Sequence, residues 1–476
     1  MEHFFSKSER ILFIGIGGIG ISAIAKLALS QGATVFGVDL ASSSITRDLE
    51  TSGAIIKIGR QATFDLKKQG ISLIVQTTAA PATHPLIKNG KKLNIPILTY
   101  PQILGEISKK FITIAVSGMH GKSTTTAMIG ILSVEAGLDP LVIVGTKVRE
   151  WGGNIRLPLN SRFNKNQPLF IVEADEYKSA MLNLSSTVIV LTRIEEDHLD
   201  YYRDLQHIKQ EFKKYLKNLA PCGALIANWQ DKNIRTLAKN IPNKIIKYNN
   251  NNDDDALAAK IKSILKVPGR HNLENALAAY KVGEYLGLSE KQILSGLAKF
   301  NGTWRRLELA GKIKKNNAEI NIISDYAHHP SEIKASLQAI REQYPDKRIL
   351  LAYQPHQHNR TKKLFKDFVT VFDQADVVIM NEIFDVAGRE ENPDQNISSR
   401  DLVRAIQKRI KKRLEIKNLK LRSCCYAKNL STTKLKILKS TKPNDIIVIM
   451  GAGDIDTVAR QLVAKKYGKV KYHQQS

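Results

Sequence analysis

The sequence predicts an α/β protein of three domains in series, and three observations support this fold class. The chain has 476 residues, which is longer than one hydrophobic core usually grows. Short apolar runs alternate with helix-like stretches, a rhythm typical of parallel sheets with crossover helices. This alternation of apolar runs and helix-like stretches begins again at two later points in the chain. We therefore expect domains at residues 1–105, 106–301 and 302–476.

The apolar runs that predict strands fall into three sets. The first domain contains ILFIGI, TVFGVD, AIIKI and SLIVQT. The second contains FITIAVS, PLFIVEADE, STVIVLTRIEEDH and GALIAN. The third contains INIISDYAHHP, RILLAYQPH, VVIMNEI and DIIVIMGAGD. A polar stretch in the second domain, YNNNNDDDALAAKIK, is expected to be a surface loop that runs into a helix.

The composition argues against several classes of protein. No window approaches the roughly 20 apolar residues that a membrane helix needs, and Cys222, Cys424 and Cys425 show neither metal-type nor disulfide spacing. A cytoplasmic protein is therefore expected. The net charge of +27 raises the possibility of nucleic-acid binding. However, the lysines are scattered over predicted helix faces with few aromatic residues among them, which favours a solvated basic surface.

The first glycine-rich stretch, IGIGGIGISAIA, follows a strand and opens a helix. Glycines there let the backbone approach a diphosphate and leave N–H groups of the helix free to bind it. Asp39 ends the next strand, as in dinucleotide-binding units, although it could equally cap the following turn. The alternative for the whole stretch is a tight turn without a ligand. The glycines of this loop are Gly15, Gly17, Gly18 and Gly20. The pattern predicts a Rossmann-like first domain.

The second glycine-rich stretch, SGMHGKSTTT, also lies between a strand and a helix. Lys122 would neutralise the β- and γ-phosphates of a bound triphosphate, and the Ser123 hydroxyl would reach a magnesium ion. The spacing between its glycines is shorter than in the common phosphate loop, but both flanks are those of such a loop. The central domain is therefore predicted to be an ATPase-like α/β domain.

Acidic residues follow two further strands of the predicted central sheet. The first group is Glu173, Asp175 and Glu176, and the second is Glu195, Glu196, Asp197 and His198. Because ligands of open α/β sheets gather at the carboxyl ends of strands, these side chains are candidates for holding the magnesium ion. For His198 alone, a helix cap or a hydrogen-bonded core position is an equally good interpretation.

Taken together, the motifs resemble the Mur ligase family. They occur in the order GIGGIGISAIA, SGMHGKSTTT, EADE, IEEDH, GRHNLENALAA, GTWRRLE, DYAHHPSEI, QPHQHNRT and MGAGDI. The resemblance covers nearly the whole chain. It implies an ATP-dependent ligase that joins L-alanine to the lactyl carboxylate of UDP-N-acetylmuramate through an acyl phosphate, in the synthesis of peptidoglycan precursors. It also implies a Rossmann-like third domain, and it assigns the UDP-sugar to the first glycine loop and ATP with Mg²⁺ to the second.

The resemblance also implies roles for individual residues. The catalytic residues would be Lys122, Glu173, His198 and Arg306, with Ser123, Glu173 and His198 as metal ligands. The UDP-sugar would contact Gly15, Gly17, Gly18, Gly20 and Asp39. ATP would contact Gly118, His120, Gly121, Lys122, Ser123, Thr124, His271, Asn272, Asn275, Arg306 and Asp325. The amino-acid and muramoyl side would be lined by His328, His356 and Arg360. For the pair His328 and His329, helix caps before Pro330 are the alternative without a ligand.

Three residues depart from the pattern of the family, and they keep alternatives open. Met119 stands where a threonine is usual, Lys178 replaces an acid, and Arg193 replaces an asparagine. The region 228–267 is also short, so a peripheral strand pair is expected to be missing. The first alternative is a sister ligase that attaches a recycled tripeptide to UDP-N-acetylmuramate. Remoter ones are an NAD(P)-dependent oxidoreductase and a basic nucleic-acid-binding NTPase. A monomer or homodimer without nucleic-acid or membrane partners is expected.

Overall fold

The computed structural model describes residues 4–159, 168–198, 201–239, 241–249, 255–316, 318–384, 397–412 and 419–464. The chain forms two compact units. The first comprises Met1–Glu196, Asp204–Lys266 and Glu274–Thr303, and the second comprises Asp197–Arg203, Val267–Leu273 and Trp304–Ser476. The first unit contains two sheets and the second contains one. Within the described ranges, no helix combines the length and apolar character needed to cross a bilayer.

The first sheet is parallel and has five strands. In chain order they are β1 (Arg10–Ile14), β2 (Thr34–Asp39), β3 (Ile55–Ile58), β4 (Leu73–Gln76) and β5 (Ile97–Thr99). Its helices are α1 (Ile19–Ser30), α2 (Ser44–Thr51), α3 (Pro85–Lys92) and α4 (Tyr100–Ser108). The spatial order is β3-β2-β1-β4-β5. Because the order reverses at β1, the loop after β1 lies at the switch point where open α/β sheets bind their ligands.

The second sheet has seven strands. They are β6 (Ile112–Ser117), β7 (Leu141–Val148), β8 (Gly153–Arg156), β9 (Leu169–Glu173), β10 (Ser186–Leu191), β11 (Leu219–Asn228) and β12 (Lys244–Tyr248). Their order is β12-β11-β10-β6-β9-β7-β8, and only β8 is antiparallel to its neighbour. Since β6 lies between β10 and β9, the segments that follow these three parallel strands meet at one edge.

Six helices accompany the second sheet along the chain. They are α5 (Lys122–Glu135), α6 (Leu205–Leu216), α7 (Lys232–Ala238), α8 (Asp255–Ile264), α9 (Arg270–Tyr285) and α10 (Glu290–Lys299). Helix α5 starts directly after the second glycine loop, and almost all of its residues after Lys122 are buried. A helix that is buried on nearly every side is typical of the interior of a large α/β domain.

The third sheet has six strands and forms the second unit. They are β13 (Glu308–Lys315), β14 (Ala318–Asp325), β15 (Ile349–Tyr353), β16 (Val377–Asn381), β17 (Ser423–Ala427) and β18 (Ile446–Met450). The order is β13-β14-β18-β15-β16-β17, with β13 antiparallel. The helices are α11 (Pro330–Gln343), α12 (His358–Lys363), α13 (Phe365–Thr370), α14 (Ser399–Lys411), α15 (Leu430–Ser440) and α16 (Asp456–Ala464). Separate hydrophobic clusters cover the two faces of this sheet, as expected for a doubly covered parallel sheet.

The predicted fold class is confirmed, and all twelve apolar runs form strands. The sequence analysis missed strands β5, β7, β8, β12, β13 and β17. Most of these lie at sheet edges, where strands are short or carry polar residues and therefore lack a continuous apolar run. Of the polar stretch, residues 250–254 lie outside the described residues, and α8 begins at Asp255. The predicted domain boundaries stay predictions.

Candidate active site

The first glycine loop leaves β1 at a turn that only glycine fits. Gly15 has φ +77°, and a Cβ built on it would lie 2.6 Å from Thr77 Cγ2. The N–H of Gly15 donates to Val38 O at 2.9 Å. Helix α1 then begins after Gly18 without a side-chain cap. Uncapped N–H groups at a helix start form a natural anion site, so the geometry suits a diphosphate.

The carboxylate of Asp39 holds this loop in place through hydrogen bonds. Its Oδ2 accepts the N–H of Gly17 at 2.8 Å, and its Oδ1 accepts the N–H of Leu40 at 2.7 Å. These bonds match the capping interpretation of Asp39. A role toward a ribose stays a prediction.

The second glycine loop is more tightly enclosed. Gly118 has φ +130°, and a Cβ there would lie 2.3 Å from Thr192 Oγ1. Gly121 has φ +86° and is the N-cap of α5, and its Cβ would lie 2.4 Å from Asn275 Oδ1. Only glycine fits either position without moving its neighbours. The loop therefore holds a fixed backbone cradle at the start of α5.

Lys122 lies inside this cradle. Its ammonium group donates to Gly118 O at 2.8 Å and to Met119 O at 3.2 Å. It also contacts both carboxylate oxygens of Glu176, at 2.9 and 2.7 Å. Burial alone would lower the pKa of Lys122, but the carboxylates of Glu176, Asp175 and Glu173 raise it above its ordinary value. Lys122 is therefore a permanent cation in the loop.

The side chain of Glu176 has a different partner from the one that the sequence analysis expected. The sequence analysis grouped it with the candidate metal ligands, but its side chain is fully buried and forms an ion pair with Lys122. A buried carboxylate of this kind needs a cation beside it. Glu176 therefore holds the ammonium group of Lys122 in position.

Glu173 ends β9, and its carboxylate is braced by a neighbouring strand. Its Oε2 accepts the N–H of Gly145 in β7 at 2.6 Å, and a Cβ on Gly145 would lie 2.8 Å from both carboxylate oxygens. Ser123, in the first turn of α5, is buried. A hydroxyl and a carboxylate are oxygen ligands of the kind that Mg²⁺ prefers. The residues of the first unit thus fit the predicted cation.

Further polar contacts fix the remaining residues of the second loop. His120 Nε2 lies 2.5 Å from Glu195 Oε1. Thr192 Oγ1 donates to His120 O at 2.6 Å and to Ser117 O at 3.1 Å. The sequence analysis missed Thr192, for which no motif gives a signal. Thr124 is buried in the first turn of α5.

Helix α9 carries three residues predicted to contact ATP. The amide of Asn272 donates to Pro268 O at 2.6 Å. Asn275 Oδ1 accepts from Thr125 Oγ1 at 3.2 Å. His271 lies against Gly269, where an added Cβ would lie 2.7 Å from its Cε1. Asn275 thus lies beside the cradle within the first unit, whereas His271 and Asn272 belong to the second unit.

Asp197 and Arg360 form a buried ion pair in the second unit. Arg360 Nη2 lies 2.7 Å from Asp197 Oδ1, and both side chains are buried. Burial alone would raise the pKa of Asp197, but Arg360 and then His198 hold it well below its ordinary value. The N–H of His198 donates to the same carboxylate at 2.6 Å, and His198 has φ +50°. Asp197 therefore joins the segment of His198 to Arg360.

The predicted histidines of the amino-acid side lie close together. The rings of His328 and His356 have centroids 5.6 Å apart, and Arg360 Nη1 lies 3.3 Å from His356 Nδ1. Burial lowers the pKa of His328 well below its ordinary value, despite the carboxylate of Glu332 at 3.3 Å. The structure thus brings His328, His356 and Arg360 together. His329 instead caps α11, as the alternative interpretation proposed.

Arg306 lies in a strained turn before β13. Its neighbours Arg305 and Leu307 have φ +57° and +47°. The carboxylate of Asp325 accepts the N–H of Leu307 at 2.7 Å, and burial raises the pKa of Asp325. Arg306 Nη1 lies 3.2 Å from Glu332 Oε1. In this structure Asp325 shapes the turn that presents Arg306, and contact of either residue with ATP stays a prediction.

The three departures from the family pattern lie in different environments. Met119 is buried, and its N–H donates to Arg193 O at 2.8 Å. The side chain of Arg193 is exposed and lies 3.4 Å from Glu274. Lys178 is exposed and lies over the ring of Tyr177 at 5.6 Å. Met119 belongs to the second glycine loop, whereas Lys178 and Arg193 lie outside that loop in the sequence.

Comparisons with known proteins identify the family of this chain. Three family models match: "Mur ligase family, catalytic domain" at residues 10–112, "Mur ligase middle domain" at 116–283 and "Mur ligase, glutamate ligase domain" at 305–453. The UDP-N-acetylmuramate–L-alanine ligase of Desulfotalea psychrophila is 34% identical, over 95% of this chain and 97% of its own length. The enzyme of the same name from Clostridium botulinum strain Hall is 36% identical, over 96% and 98%.

Solved structures have the same fold. The UDP-N-acetylmuramate-alanine ligase MurC of Thermotoga maritima superposes with a TM-score of 0.74 at 24% identity, over 96% of this chain and 98% of its own. A murein peptide ligase of Psychrobacter arcticus gives a TM-score of 0.66 at 20% identity, over 97% and 100%. The matched models and relatives extend over all three sheets and both glycine loops. The chain belongs to the Mur ligase family.

Proposed function

We propose that this chain is an ATP-dependent ligase that joins L-alanine to the lactyl carboxylate of UDP-N-acetylmuramate, as the names of its curated relatives suggest. The reaction would supply a peptidoglycan precursor, and the cytoplasm is the compartment where ATP and UDP-sugars are available. One observation carries the proposal: a single compact unit contains two anion cradles of different charge. A UDP-sugar needs a cradle that only binds, whereas ATP needs one that stabilises a moving phosphoryl group.

In the first chemical step, an oxygen of the lactyl carboxylate would attack the γ-phosphorus of ATP. The bond to the β–γ bridging oxygen breaks, ADP leaves and an acyl phosphate forms. Lys122 would exchange its contact with Glu176 for the phosphate oxygens, since charge-assisted bonds to phosphate are strong. The backbone N–H groups at the start of α5 would bind the same phosphates without reorganisation.

Mg²⁺ would be held by the Ser123 hydroxyl and the Glu173 carboxylate, which supply the oxygen donors that the ion prefers. A bound Mg²⁺ would supply charge neutralisation on the transferring phosphoryl group. The N–H of Gly145 would orient the Glu173 carboxylate toward the ion, as outer contacts of metal ligands commonly do. His198 as a third ligand rests on the resemblance in sequence.

In the second step, the amino group of L-alanine would attack the carbonyl carbon of the acyl phosphate. Phosphate leaves, and the amine loses a proton as the amide forms. The departing phosphate can take that proton, and the lowered pKa of His328 favours the neutral form of its imidazole. Arg360 would bind the alanine carboxylate while Asp197 holds its guanidinium in place.

Phosphate release from ATP tests this function directly. The assay would contain Mg²⁺ and UDP-N-acetylmuramate, with single amino acids or a tripeptide added one at a time. Release with L-alanine, together with a new amide product in mass spectra, is the expected result. Turnover with the tripeptide alone would instead assign the chain to peptide recycling. Binding of NAD(P) without binding of UDP-N-acetylmuramate would contradict ligase activity altogether.

A further inference from the structure

Tyr100 is the first residue of α4, directly after β5 of the first sheet. The tip of its ring fills the space beside Gly20 in the first turn of α1. A Cβ built on Gly20 would lie 2.7 Å from Tyr100 Cζ and 3.0 Å from the phenol oxygen. The hydroxyl therefore lies next to the glycine loop to which we assign the diphosphate of the UDP-sugar.

The same phenol lies within the field of the acidic residues that follow β9. Burial raises the pKa of Tyr100 above its ordinary value, and the negative charges of Glu173 and Asp175 raise it further. The phenol therefore stays protonated at any working pH, and its hydroxyl can donate a hydrogen bond. The phenol thus lies beside the diphosphate loop and is close enough to the acids of the ATP cradle for their charge to affect its pKa.

Packing fixes Tyr100 in this position. Helix α4 contacts the segment that follows the acids, because Ser108 Oγ accepts the N–H of Ser185 at 2.9 Å. Gly105 of the same helix approaches so closely that a Cβ would lie 2.5 Å from Asn183 O. Helix α4 therefore holds Tyr100 at a set distance from the segment after Glu176.

Among the described residues, the Tyr100 hydroxyl has no hydrogen-bond partner, although the side chain is half-buried. Tyrosine hydroxyls in partly buried positions usually have a partner. Packing against Gly20 explains the ring but not the hydroxyl, because phenylalanine would fill the same space. The unused donor is available to a ligand that passes between the two cradles.

We propose that the Tyr100 hydroxyl donates a hydrogen bond to the lactyl carboxylate of UDP-N-acetylmuramate as that arm reaches from the first glycine loop toward the γ-phosphate. The inference rests on the proposed function. The lactyl arm carries a negative charge and must approach Glu173 and Asp175, so it meets electrostatic repulsion. A neutral donor at this point offsets part of the repulsion without adding a cation that would compete for phosphate. Tyr100 therefore contacts the substrate and distinguishes a UDP-sugar that carries the lactyl arm from one that lacks it.

The variant Tyr100→Phe tests this proposal, because it removes only the hydroxyl and keeps the ring against Gly20. Calorimetry would compare two ligands, UDP-N-acetylmuramate and UDP-N-acetylglucosamine, which lacks the lactyl arm. A hydrogen bond to a charged group is expected to account for about a 10- to 100-fold loss in affinity for the first ligand. The affinity for the second ligand should not change. Tyr285→Phe, on α9, is the matched control.

Equal losses for both ligands, or no loss for either, would overturn the role of the Tyr100 hydroxyl. The KM for ATP should stay unchanged, and a rise in that constant alone would also contradict the proposal. Wild-type protein is the reference that separates the two ideas. If it neither binds UDP-N-acetylmuramate nor releases phosphate, the proposed function fails and this inference fails with it. If wild type is active and Tyr100→Phe equals it, only the inference fails.

Discussion

The two glycine loops of the first unit both join an interior strand to a helix, but they differ in the charges around them. Each contains at least one glycine with positive φ and opens a helix that has no side-chain cap, but the N-cap Gly18 is extended whereas the N-cap Gly121 is left-handed. The first loop is braced by a carboxylate, that of Asp39. The second contains the ammonium group of Lys122, which is surrounded by acids.

This difference in charge is what we expect if one loop only binds a diphosphate and the other takes part in phosphoryl transfer. A cradle of N–H groups suffices to bind a diphosphate that does not react. Transfer of a phosphoryl group also needs a cation close to the oxygens on which negative charge develops. Because Lys122 is paired with Glu176, the cation is not left as an unpaired buried charge.

The largest expected effect comes from Lys122→Ala. Loss of this cation should lower the rate of phosphate release by about 10²- to 10³-fold, the usual cost of removing one transition-state donor. The affinity for UDP, measured by calorimetry, should be unchanged because the first loop keeps all of its contacts. Lys217→Ala, at an exposed position after α6, is the control. Loss of UDP binding would contradict the division between the loops.

The pH dependence of phosphate release by the wild-type enzyme tests whether Lys122 stays charged. The pKa of Lys122 is raised in the folded state, so the lysine stays charged below its unfolded-state pKa of about 10.4. Its contribution is lost only as pH rises through the higher folded-state value. The rate of phosphate release between about pH 6 and 9 should therefore show no ionisation from Lys122. An ionisation in that range that disappears in Lys122→Arg would refute this expectation.

Alanine substitutions at matched glycines should separate the two cradles. Gly118→Ala meets Thr192 and the backbone of Arg193, and Gly15→Ala meets the methyl group of Thr77. Both glycines have positive φ, where strain costs about 1 to 3 kcal/mol, so about a tenfold or greater loss of ligand affinity is expected. Gly118→Ala should weaken ATP alone, and Gly15→Ala should weaken UDP alone. Reciprocal losses would show that the cradles are coupled.

Gly145→Ala tests how Glu173 is oriented. The new methyl group would lie 2.8 Å from the carboxylate oxygens and should push them away from the Gly145 N–H. We expect the magnesium concentration for half-maximal phosphate release to rise about tenfold, as is usual when a contact behind a metal ligand is lost. Gly153→Ala, where the nearest atom lies at 3.8 Å, is the control. An unchanged magnesium titration would mean that Glu173 is not a ligand.

The smallest effect is expected for Asp39→Ala. The change removes the acceptor of the Gly17 N–H, and one such hydrogen bond contributes about 0.5 to 1.5 kcal/mol. The affinity for UDP should therefore fall several-fold, with no change in the KM for ATP. Asp48→Ala, at an exposed position of α2, provides the comparison. A loss of a hundredfold or more would indicate that Asp39 contacts the ligand directly.

Much of this organisation could be predicted from consecutive residues. The strand before the helix identified both glycine loops, and the acids after β9 were recognised as candidates at the ligand edge. The particular partner of Lys122 could not be predicted in this way. Glu173, Asp175 and Glu176 have the same chemistry in sequence, but only Glu176 is fully buried against the lysine. The direction in which each side chain leaves the end of β9 decides between them.

The edge strands and the brace on Glu173 were missed for a related reason. Gly145 gives no signal as a residue, because its importance lies in how closely β7 approaches a carboxylate 28 residues away. Tyr100 was missed because an aromatic residue after a strand is more often part of a core. Only its approach to Gly20 and to the acids after β9 distinguishes it.

The fold class, the two glycine loops and the family could be recognised from the sequence, because strand periodicity and glycine turns depend on neighbouring residues. The tertiary structure alone decided which groups meet. Lys122 and Glu176 are 54 residues apart, and they come together because β6 and β9 are adjacent in the sheet. Strand order is set by the burial of whole faces and by crossover connections. No local pattern of residues records it.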